Sequence, residues 1–358
     1  MNTPKLNIAI LPGDGIGGEV MSACLRLLDA CVTGLEFEQL EAGALCYRRT
    51  GEALPEEVLR RCRESDAILL GAMGLPEIRY EDGTEISPQL DLRFDLALYA
   101  GVRPVRPLPG LPLPLANPEG MPIDFILVRE STEGLFASRG KGVVRDNREA
   151  EDCMLITREG SERVFEFAFN LAADRRREGY PGELTCVDKA NVFRSMAFFR
   201  QIFDEVAQCH KEIGANHMYV DAAALNMVRA PWKMDVLVTE NMFGDILSDL
   251  GAGLMGGMGM APSADIGDRH AVFQPCHGSA PDIAGQGLAN PVAMILSAAM
   301  MLRWLARQHN RPDLTRASER LESAVDAALV KPENLPAELG GKAGTDHITD
   351  AVLAELIR

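Results

Sequence analysis

Two aspartates, Asp245 and Asp249, are the first residues whose types and spacing suggest chemistry. Because they are four positions apart, both carboxylates would lie on one face of a helix. Two like charges placed in this way repel each other unless a cation lies between them, and oxygen ligands suit Mg²⁺ or Mn²⁺. A solvated helix face is the alternative interpretation, but Ile246, Leu247 and Leu250 make the surrounding helix apolar. The pair therefore predicts a divalent metal site.

Three arginines could supply the positive charge that an anionic ligand needs. Arg93 and Arg103 are separated by a helix-like stretch, and Arg129 ends an apolar strand predicted over 125–128. A guanidinium group binds a carboxylate through two hydrogen bonds, and a charge at the end of a buried strand lies where open α/β sheets bind ligands. Each arginine taken alone is also compatible with a solvated surface charge. Together they predict a carboxylate-binding site.

Lys189 and Asp221 each directly follow an apolar segment that we interpret as a strand. A lysine at such a position can act as a base or proton relay if burial or neighbouring cations lower its pKa. The aspartate could provide a third metal ligand. Two strand-end charges that reach solvent are the alternative interpretation.

A polar, glycine-containing loop over 277–290 precedes a predicted helix and is a candidate cofactor site. Its small residues would let a flat cofactor lie against the backbone. Asp282 could bond both hydroxyls of an adenosine ribose and would repel a 2′-phosphate, which favours NAD over NADP. His277 by itself is also compatible with a structural histidine.

A second glycine pattern, G-x-G-x-x-G at 13–18, follows a strand and opens a helix, as a dinucleotide-binding turn would. Glu36 and Glu38 lie about where a ribose-binding acid is expected, but they belong to an alternating strand over 35–40. A tight turn whose glycines serve backbone geometry is the alternative. We prefer the loop at 277–290 as the cofactor site.

Strands and helices that alternate along the chain must position these residues. Apolar patterns predict strands over 6–11, 66–70, 125–128, 184–187, 218–220 and 236–239, and helices over 18–30, 88–100, 192–211, 243–250, 290–306 and 314–328. The seven prolines between Pro104 and Pro122 predict a loop between domains, and the glycines over 251–259 predict a sharp turn. The alternation indicates an α/β fold, and 358 residues suggest two domains.

Composition and charge exclude several classes of protein. Hydrophobic residues make up 47% and charged residues 25%, as in average globular proteins, and the net charge of −16 should repel nucleic acid and anionic membranes. The longest apolar run, 292–302, is too short to cross a bilayer, and the first residues lack a signal-peptide pattern. Eight scattered cysteines without a C-x-x-C pair do not indicate a disulfide framework or zinc ribbon. We expect a reduced, cytoplasmic protein with neither nucleic-acid nor membrane partners.

Taken in order, these motifs resemble those of the metal-dependent β-decarboxylating dehydrogenases, the isocitrate/isopropylmalate dehydrogenase family. Besides Arg93, the matching segments are LPGDGIG at 11–17, VRP at 102–104, RESTEG at 129–134, VDKANV at 187–192, YVDA at 219–222, NMFGDILSD at 241–249 and HGSAPDIAG at 277–285. The resemblance is strongest to the isopropylmalate dehydrogenases. It implies a two-domain, non-Rossmann α/β fold with a discontinuous first domain, 1–101 plus 253–358. The second domain, 102–252, would carry the interface of a homodimer with shared active sites.

The resemblance also implies a role for each candidate residue. Arg93, Arg103 and Arg129 would hold the carboxylates of a small anionic hydroxy acid. Asp245, Asp249 and Asp221 of the partner subunit would hold Mg²⁺ or Mn²⁺. Lys189, with Asp221, would relay the hydroxyl proton as hydride passes to NAD. The residues implied in NAD binding are Asn191, His277, Gly278, Ser279, Ala280, Asp282, Ile283 and Asn290.

This chain departs from the family pattern at several positions. Phe136 stands where the family carries a tyrosine that protonates the enolate carbon, so Ser138, Arg139, Lys141 or a water would have to replace it. Gln274 and Gly18 stand where glutamate and proline are usual.

The pocket for the C3 substituent is the remaining departure. Ser87 and Gln89 stand where isopropylmalate enzymes carry leucines, and they resemble the Ser and Asn of isocitrate enzymes. Alternatively, Pro88 reshapes this loop and neither side chain points inward. We therefore expect oxidative decarboxylation of a 3-substituted (R)-malate, similar to that of isopropylmalate dehydrogenase, with isocitrate, D-malate or tartrate as alternative substrates. A catalytically impaired paralogue that binds NAD or an acid, and oxidation without decarboxylation, are the other hypotheses.

Overall fold

The computed structural model describes residues 5–108, 111, 114–116 and 120–358, which contain eleven α-helices and twelve strands. The helices are α1 (Gly17–Cys31), α2 (Ala44–Thr50), α3 (Glu56–Glu64), α4 (Pro88–Asp95), α5 (Arg158–Arg177), α6 (Arg194–Ala207), α7 (Val220–Arg229), α8 (Asn241–Leu254), α9 (Val292–His309), α10 (Pro312–Leu329) and α11 (Thr345–Leu356). The strands are β1 (Leu6–Gly13), β2 (Leu35–Gln39), β3 (Ala67–Ala72), β4 (Ala100–Val105), β5 (Phe125–Glu130), β6 (Val143–Arg145), β7 (Glu149–Glu151), β8 (Glu183–Asp188), β9 (Gly214–Tyr219), β10 (Val236–Thr239), β11 (Pro262–Ile266) and β12 (Ala271–Pro275).

Ten strands form one sheet in the order β2-β1-β3-β12-β11-β4-β5-β10-β8-β9. The outer pairs on both sides are parallel, whereas β11 and β4 run antiparallel to each other and to their other neighbours, β12 and β5. Two parallel halves therefore meet at an antiparallel centre, which differs from the Rossmann sheet. Strands β6 and β7 form a separate hairpin.

Helices cover both faces of the sheet, so its inner strands are largely apolar on both sides, whereas the edge strands β2 and β9 are partly or mostly exposed. In β1, Ile8 belongs to the cluster that α1, α9, α10 and α11 share, while Ala9 faces the smaller cluster around α3 and α4. In β5, Leu127 joins the large cluster, and Val128 packs with α5 and α6. The predicted α/β class with a non-Rossmann sheet is confirmed. None of the helices in the described part of the chain is long and apolar enough to cross a membrane.

Most predicted elements are confirmed, with bounds that differ by four residues at most. The helix predicted over 88–100 is wrong at its end: α4 stops at Asp95, Ala97 has a positive φ of 51°, and β4 begins at Ala100. The strand pairs with β5 and β11, which are distant in sequence. Pro104, predicted to start a loop, lies inside β4 opposite Ile126. Part of the predicted loop, 109–110, 112–113 and 117–119, lies outside the described residues.

Two further predictions need correction. The sharp turn expected over 251–259 starts later, because α8 continues to Leu254 and the positive φ angles are at Gly256 and Gly257. The strand expected over 218–220 ends at Tyr219, and α7 begins at Val220. Asp221 therefore lies in the first turn of a helix rather than at the end of a strand.

The predicted division into 1–101 plus 253–358 and 102–252 would fall inside β4 and close to the end of α8. The sheet continues from β11 through β4 to β5 across this boundary. The division into two domains stays a prediction.

The glycine turn at 13–18 packs against protein rather than opening towards a ligand. The carbonyl of Ser279 accepts a hydrogen bond from the Ile16 N–H at 2.8 Å. The Asp14 carboxylate accepts hydrogen bonds from the N–H groups of Ala44, Leu45 and Gly74 at 2.7–3.0 Å, so it fixes the start of α2. This favours the structural interpretation of the motif.

We predict opposite effects on stability when the two glycines Gly15 and Gly18 are replaced by alanine. At Gly15, φ is +55° and an added Cβ would lie 2.0 Å from the Ser279 carbonyl oxygen, so Gly15→Ala should lower the free energy of unfolding by about 2–4 kcal/mol. At Gly18 an added Cβ meets nothing within 4 Å, and Gly18→Ala should raise it by up to about 1 kcal/mol. Urea unfolding followed by circular dichroism at one protein concentration measures both. Equal stabilities for the two variants would contradict the proposed packing of this turn.

Candidate active site

A cleft of about 570 Å³ opens at the carboxyl ends of β3 and β12 and is bordered by α4 and α8. It brings together most of the residues predicted to bind substrate and metal. The residues that line it are Leu70, Gly71, Ala72, Met73, Thr84, Glu85, Ser87, Gln89, Leu90, Arg93, Arg103, Arg129, Phe136, Arg139, Asp245, Ser248, Asp249, Ser263, Gln274, Pro275, Cys276, His277 and Gly278.

Two of the predicted arginines are held by one buried carboxylate, that of Asp265 on β11. Arg93 Nη2 donates to Asp265 Oδ2 at 3.0 Å, and Arg103 Nη2 donates to Oδ1 at 3.1 Å. Gln274 Nε2 donates to Oδ2 as well, at 2.9 Å. Burial opposes ionisation of this carboxyl group, but the two guanidinium groups outweigh it and hold its pKa at about 2. Arg93 Nε is buried and has no partner among the described residues, so it retains a donor for a ligand.

Arg129, near the end of β5, lies against the first turns of α8. Its Nε and Nη2 donate to Asn241 Oδ1 at 2.9 and 2.6 Å, and its Nη1 contacts Asp245. The guanidinium carbon is 4.9 Å from the centre of the Phe136 ring, and Gly244 makes room for its stem, because a Cβ there would lie 2.6 Å from Arg129 Cγ. Burial and the charge of Arg93 lower the pKa of Arg129 to about 10, so its guanidinium remains charged at neutral pH.

Asp245 and Asp249 lie on the exposed face of α8 and both line the cleft, as their spacing predicts. Partial burial, together with the charge of Asp245, raises the pKa of Asp249. A divalent cation would relieve this repulsion, so the donor chemistry fits a hard cation. The described residues contain no group of three His, Cys, Asp or Glu side chains that could hold a metal ion within one chain.

Of the residues predicted to bind metal or transfer protons, Lys189 and Asp221 do not line the cleft. Lys189 Nζ donates to Asp221 Oδ1 at 2.6 Å, and this hydrogen bond lowers the pKa of the carboxyl group. Asn191, predicted to bind NAD, is exposed beside Lys189 and likewise lies outside the cleft. These three residues therefore form a separate group on the surface of the chain.

Some residues of the predicted NAD loop are accessible to a ligand, whereas others make structural contacts. His277 and Gly278 line the cleft, and the buried His277 Nε2 has no partner among the described residues, as a group awaiting a ligand would. Burial lowers the pKa of His277, which keeps the ring neutral. Asp282 is exposed and Ile283 is half-buried. The loop therefore fits a cofactor on its exposed side.

Three other loop residues have structural contacts. Ser279 Oγ donates to the Gly74 carbonyl. Asn290 Oδ1 accepts from the Val292 N–H at 3.2 Å, at the start of α9, and its amide nitrogen donates to Glu338. Ala280 has a positive φ of 36° and packs against the large apolar cluster.

Ser87 and Gln89 both line the cleft, and their contact with the C3 substituent stays a prediction. Pro88 lies in the first turn of α4, where its fixed φ suits a helix. Of the groups that could replace the missing tyrosine, Arg139 lines the cleft, whereas Ser138 is bonded to the backbone of Cys153 and Lys141 to the carbonyl of Ala137.

Sequence reasoning missed Asp265 and Asn241, which orient the three arginines. Asp265 left a signal, since it is an acid inside the apolar strand Ala-Asp-Ile at 264–266. Asn241 also left a signal, since it opens the matching segment NMFGDILSD at 241–249. Both residues bind arginines that are more than a hundred positions away in the sequence.

The chain matches the family model described as isocitrate/isopropylmalate dehydrogenase over residues 7–352. It is 41% identical to the 3-isopropylmalate/3-methylmalate dehydrogenase of Methanocaldococcus jannaschii over 96% of this chain and 97% of that protein. It is also 41% identical to the 3-isopropylmalate dehydrogenase of Aquifex aeolicus, over 99% and 98% of the two chains. The crystal structure of isocitrate dehydrogenase from Methylococcus capsulatus matches with a TM-score of 0.86 and 33% identity, covering 99% of this chain and 100% of that one. The chain therefore belongs to the isocitrate/isopropylmalate dehydrogenase family of decarboxylating oxidoreductases.

Proposed function

We propose that this protein oxidises and decarboxylates a 3-substituted (R)-malate, with NAD as hydride acceptor and Mg²⁺ or Mn²⁺ as metal. The observation that carries the proposal is the single cleft in which Arg93, Arg103 and Arg129 lie beside Asp245 and Asp249. Positive groups for a dicarboxylate and oxygen ligands for a cation thus occur together, in a chain whose net charge is −16. The substrate would be a small anionic hydroxy acid.

Binding of the acid rests on the arginines. Arg93 and Arg103 are fixed by Asp265, so their remaining N–H groups are directed without further loss of side-chain freedom. Arg129 is fixed by Asn241 in the same way. Such a preorganised set would orient the two malate carboxylates and leave the C2 hydroxyl next to α8.

Asp245, Asp249 and Asp221 of the partner subunit would hold the cation. When bound, it would act as a Lewis acid on the C2 oxygen. Lys189 Nζ and Asp221 Oδ1 of one chain lie 2.6 Å apart, and Nζ, after losing one of its own protons to solvent, would take the hydroxyl proton in the partner's cleft. The NAD nicotinamide would reach the cleft along His277 and Gly278, while Asp282 would bond the adenosine ribose.

A homodimer with shared active sites explains why Lys189 and Asp221 lie outside the cleft. Large apolar side chains are exposed on the same segments: Val192 and Phe193 follow Lys189, Leu225 and Val228 lie on α7, and Met242 and Ile246 lie on α8. Such a surface is typical of a protein interface. We propose that a second copy covers it and that 102–252 is the domain through which the dimer forms.

The free state of all eight cysteines fits a cytoplasmic protein.

Phe136 leaves the enolate carbon without a phenol to protonate it. Ser138 and Lys141 do not line the cleft, and a guanidinium group does not serve as a general acid in proteins. We therefore propose that water supplies this proton. The same residue favours a second candidate function, an acid- and NAD-binding paralogue with little turnover.

The first test of the proposed function is NADH formation with Mn²⁺ on 3-isopropylmalate, isocitrate, D-malate and tartrate. We expect at least one acid to be oxidised, and a chelator to abolish the reaction, because Asp245 and Asp249 would have no cation to present. NAD binding without oxidation of any of the four acids would favour the paralogue instead.

Replacing Phe136 by tyrosine should accelerate protonation of the enolate carbon. Because a positioned general acid contributes at least about 100-fold where protonation limits the rate, we expect Phe136→Tyr to raise kcat at least about tenfold. CO₂ release and ketone formation should be measured beside NADH, since oxidation without decarboxylation would leave a β-keto acid. An unchanged kcat would mean that another group already donates the proton. The matched control is Phe198→Tyr, on α6 outside the cleft.

Mixed dimers test the shared site. Lys189→Met and Asp245→Asn should each be nearly inactive alone. When equimolar amounts are unfolded and refolded together, half of the dimers combine the two variants and each regains one intact site, so activity should return to about a quarter of the native value. Mixing Lys189→Met with Asp221→Asn is the control, because both changes fall in the same half of each site. Recovery in the control, or none in the test mixture, would contradict shared sites.

A further inference from the structure

Arg139 is a fourth arginine in the cleft, and the three carboxylate-binding roles above do not use it. We propose that Arg139 is a specificity-determining residue that binds a carboxylate on the C3 substituent of the substrate. This inference rests on the proposed function and narrows its substrate class from a 3-substituted malate to one with an anionic arm.

Arg139 lies in the segment after Phe136 and is hydrogen-bonded to residues at the start of α4. Its Nη2 donates to Ser87 Oγ at 3.0 Å, and its Nη1 donates to Asp91 Oδ1 at 3.0 Å. Ser87 and Gln89 line the same cleft. These two contacts aim the guanidinium group at the C3 pocket and leave Nε–H and one hydrogen on each Nη for a ligand.

Hydrogen-bonding groups lie around this pocket, although Glu85, Leu90 and Phe136 line the same cleft. Gln89 Oε1 is buried without a partner among the described residues, and its amide can turn to present N–H groups to an acceptor. The Ser87 hydroxyl accepts from Arg139 and donates to the Glu85 carbonyl at 3.2 Å, and it can rotate away from that carbonyl to become a third donor. Arginine, amide and hydroxyl donors together match a carboxylate, which only accepts hydrogen bonds.

An isopropyl group in this pocket would desolvate Arg139 without offering it a hydrogen bond, and it would leave the buried Gln89 Oε1 without a partner. A buried polar group left unpaired disfavours binding, and a site built from such groups discriminates strongly against an apolar analogue. A hydrogen or a small hydroxyl at C3 would leave room for water and so avoid this penalty. The expected order is therefore isocitrate, whose substituent is carboxymethyl, then D-malate, and last 3-isopropylmalate.

Arg139→Leu tests the role. We expect kcat/KM for isocitrate to fall about 10- to 100-fold, as for loss of a charge-assisted pair. The value for D-malate, which has no C3 substituent, should stay within about threefold, and 3-isopropylmalate should improve. Arg139→Lys keeps the charge but loses the planar fork, so its kcat/KM for isocitrate should lie between those of the native protein and Arg139→Leu. Arg60→Leu is the matched control, since Arg60 pairs with Glu57 and Glu64 on α3, away from the cleft.

Calorimetry with Mn²⁺ separates this inference from the function on which it rests. If no acid reduces NAD, the proposed function fails, while the affinities of native and Arg139→Leu protein for isocitrate and 3-isopropylmalate still report on Arg139. An equal loss for D-malate and isocitrate would make Arg139 a structural residue. Preference of the native protein for 3-isopropylmalate, in turnover or in binding, would also overturn the proposal.

Discussion

The buried carboxylate of Asp265, shared by Arg93 and Arg103, is the interaction on which the cleft depends. Breaking such a buried pair by removing the acid typically costs about 3–5 kcal/mol, because two guanidinium groups would remain without a counter-charge. The pKa of about 2 lies below the ordinary value of 3.8, so this stabilisation is complete above pH 4 and is lost only as the pH falls towards 2. It also joins α4, β4 and β11 at the antiparallel centre of the sheet.

Placing several arginines in one cleft requires acids that offset their charge. Asp265 serves Arg93 and Arg103, while Asp245 contacts Arg129 from the exposed side of α8. This arrangement keeps the arginines fixed before a ligand arrives. Arg129 and a bound cation would compete for the Asp245 carboxylate. The binding of a cation and the availability of Arg129 for an anion are thus linked through one side chain.

The sequence predicted the parts of the site that depend on local pattern. The i and i+4 spacing of Asp245 and Asp249 put both side chains in the cleft, and Arg129 lies near the end of its strand. The parts of the site that could not be predicted depend on contacts between residues that are distant in sequence. The sequence predicts helix and loop at the two ends of β4 because its apolar run is short and contains Pro104, and pairing with β5 and β11 makes it a strand. Asp265 lies beside Arg103 because of the same pairing of β11 with β4.

The position of Lys189 could not be predicted from the chain alone for a different reason. Its strand-end location was predicted correctly, yet within one chain it pairs with Asp221 beside the Tyr219 ring and does not line the cleft that holds the arginines. The proposed proton relay would be separated from its substrate there, and the apolar side chains of Val192 and Phe193 beside it are exposed. In the proposed dimer, one contact would explain both facts, because a second copy would bury the apolar face and receive the relay in its own cleft. Dimer formation would then be a condition for the chemistry rather than an addition to stability.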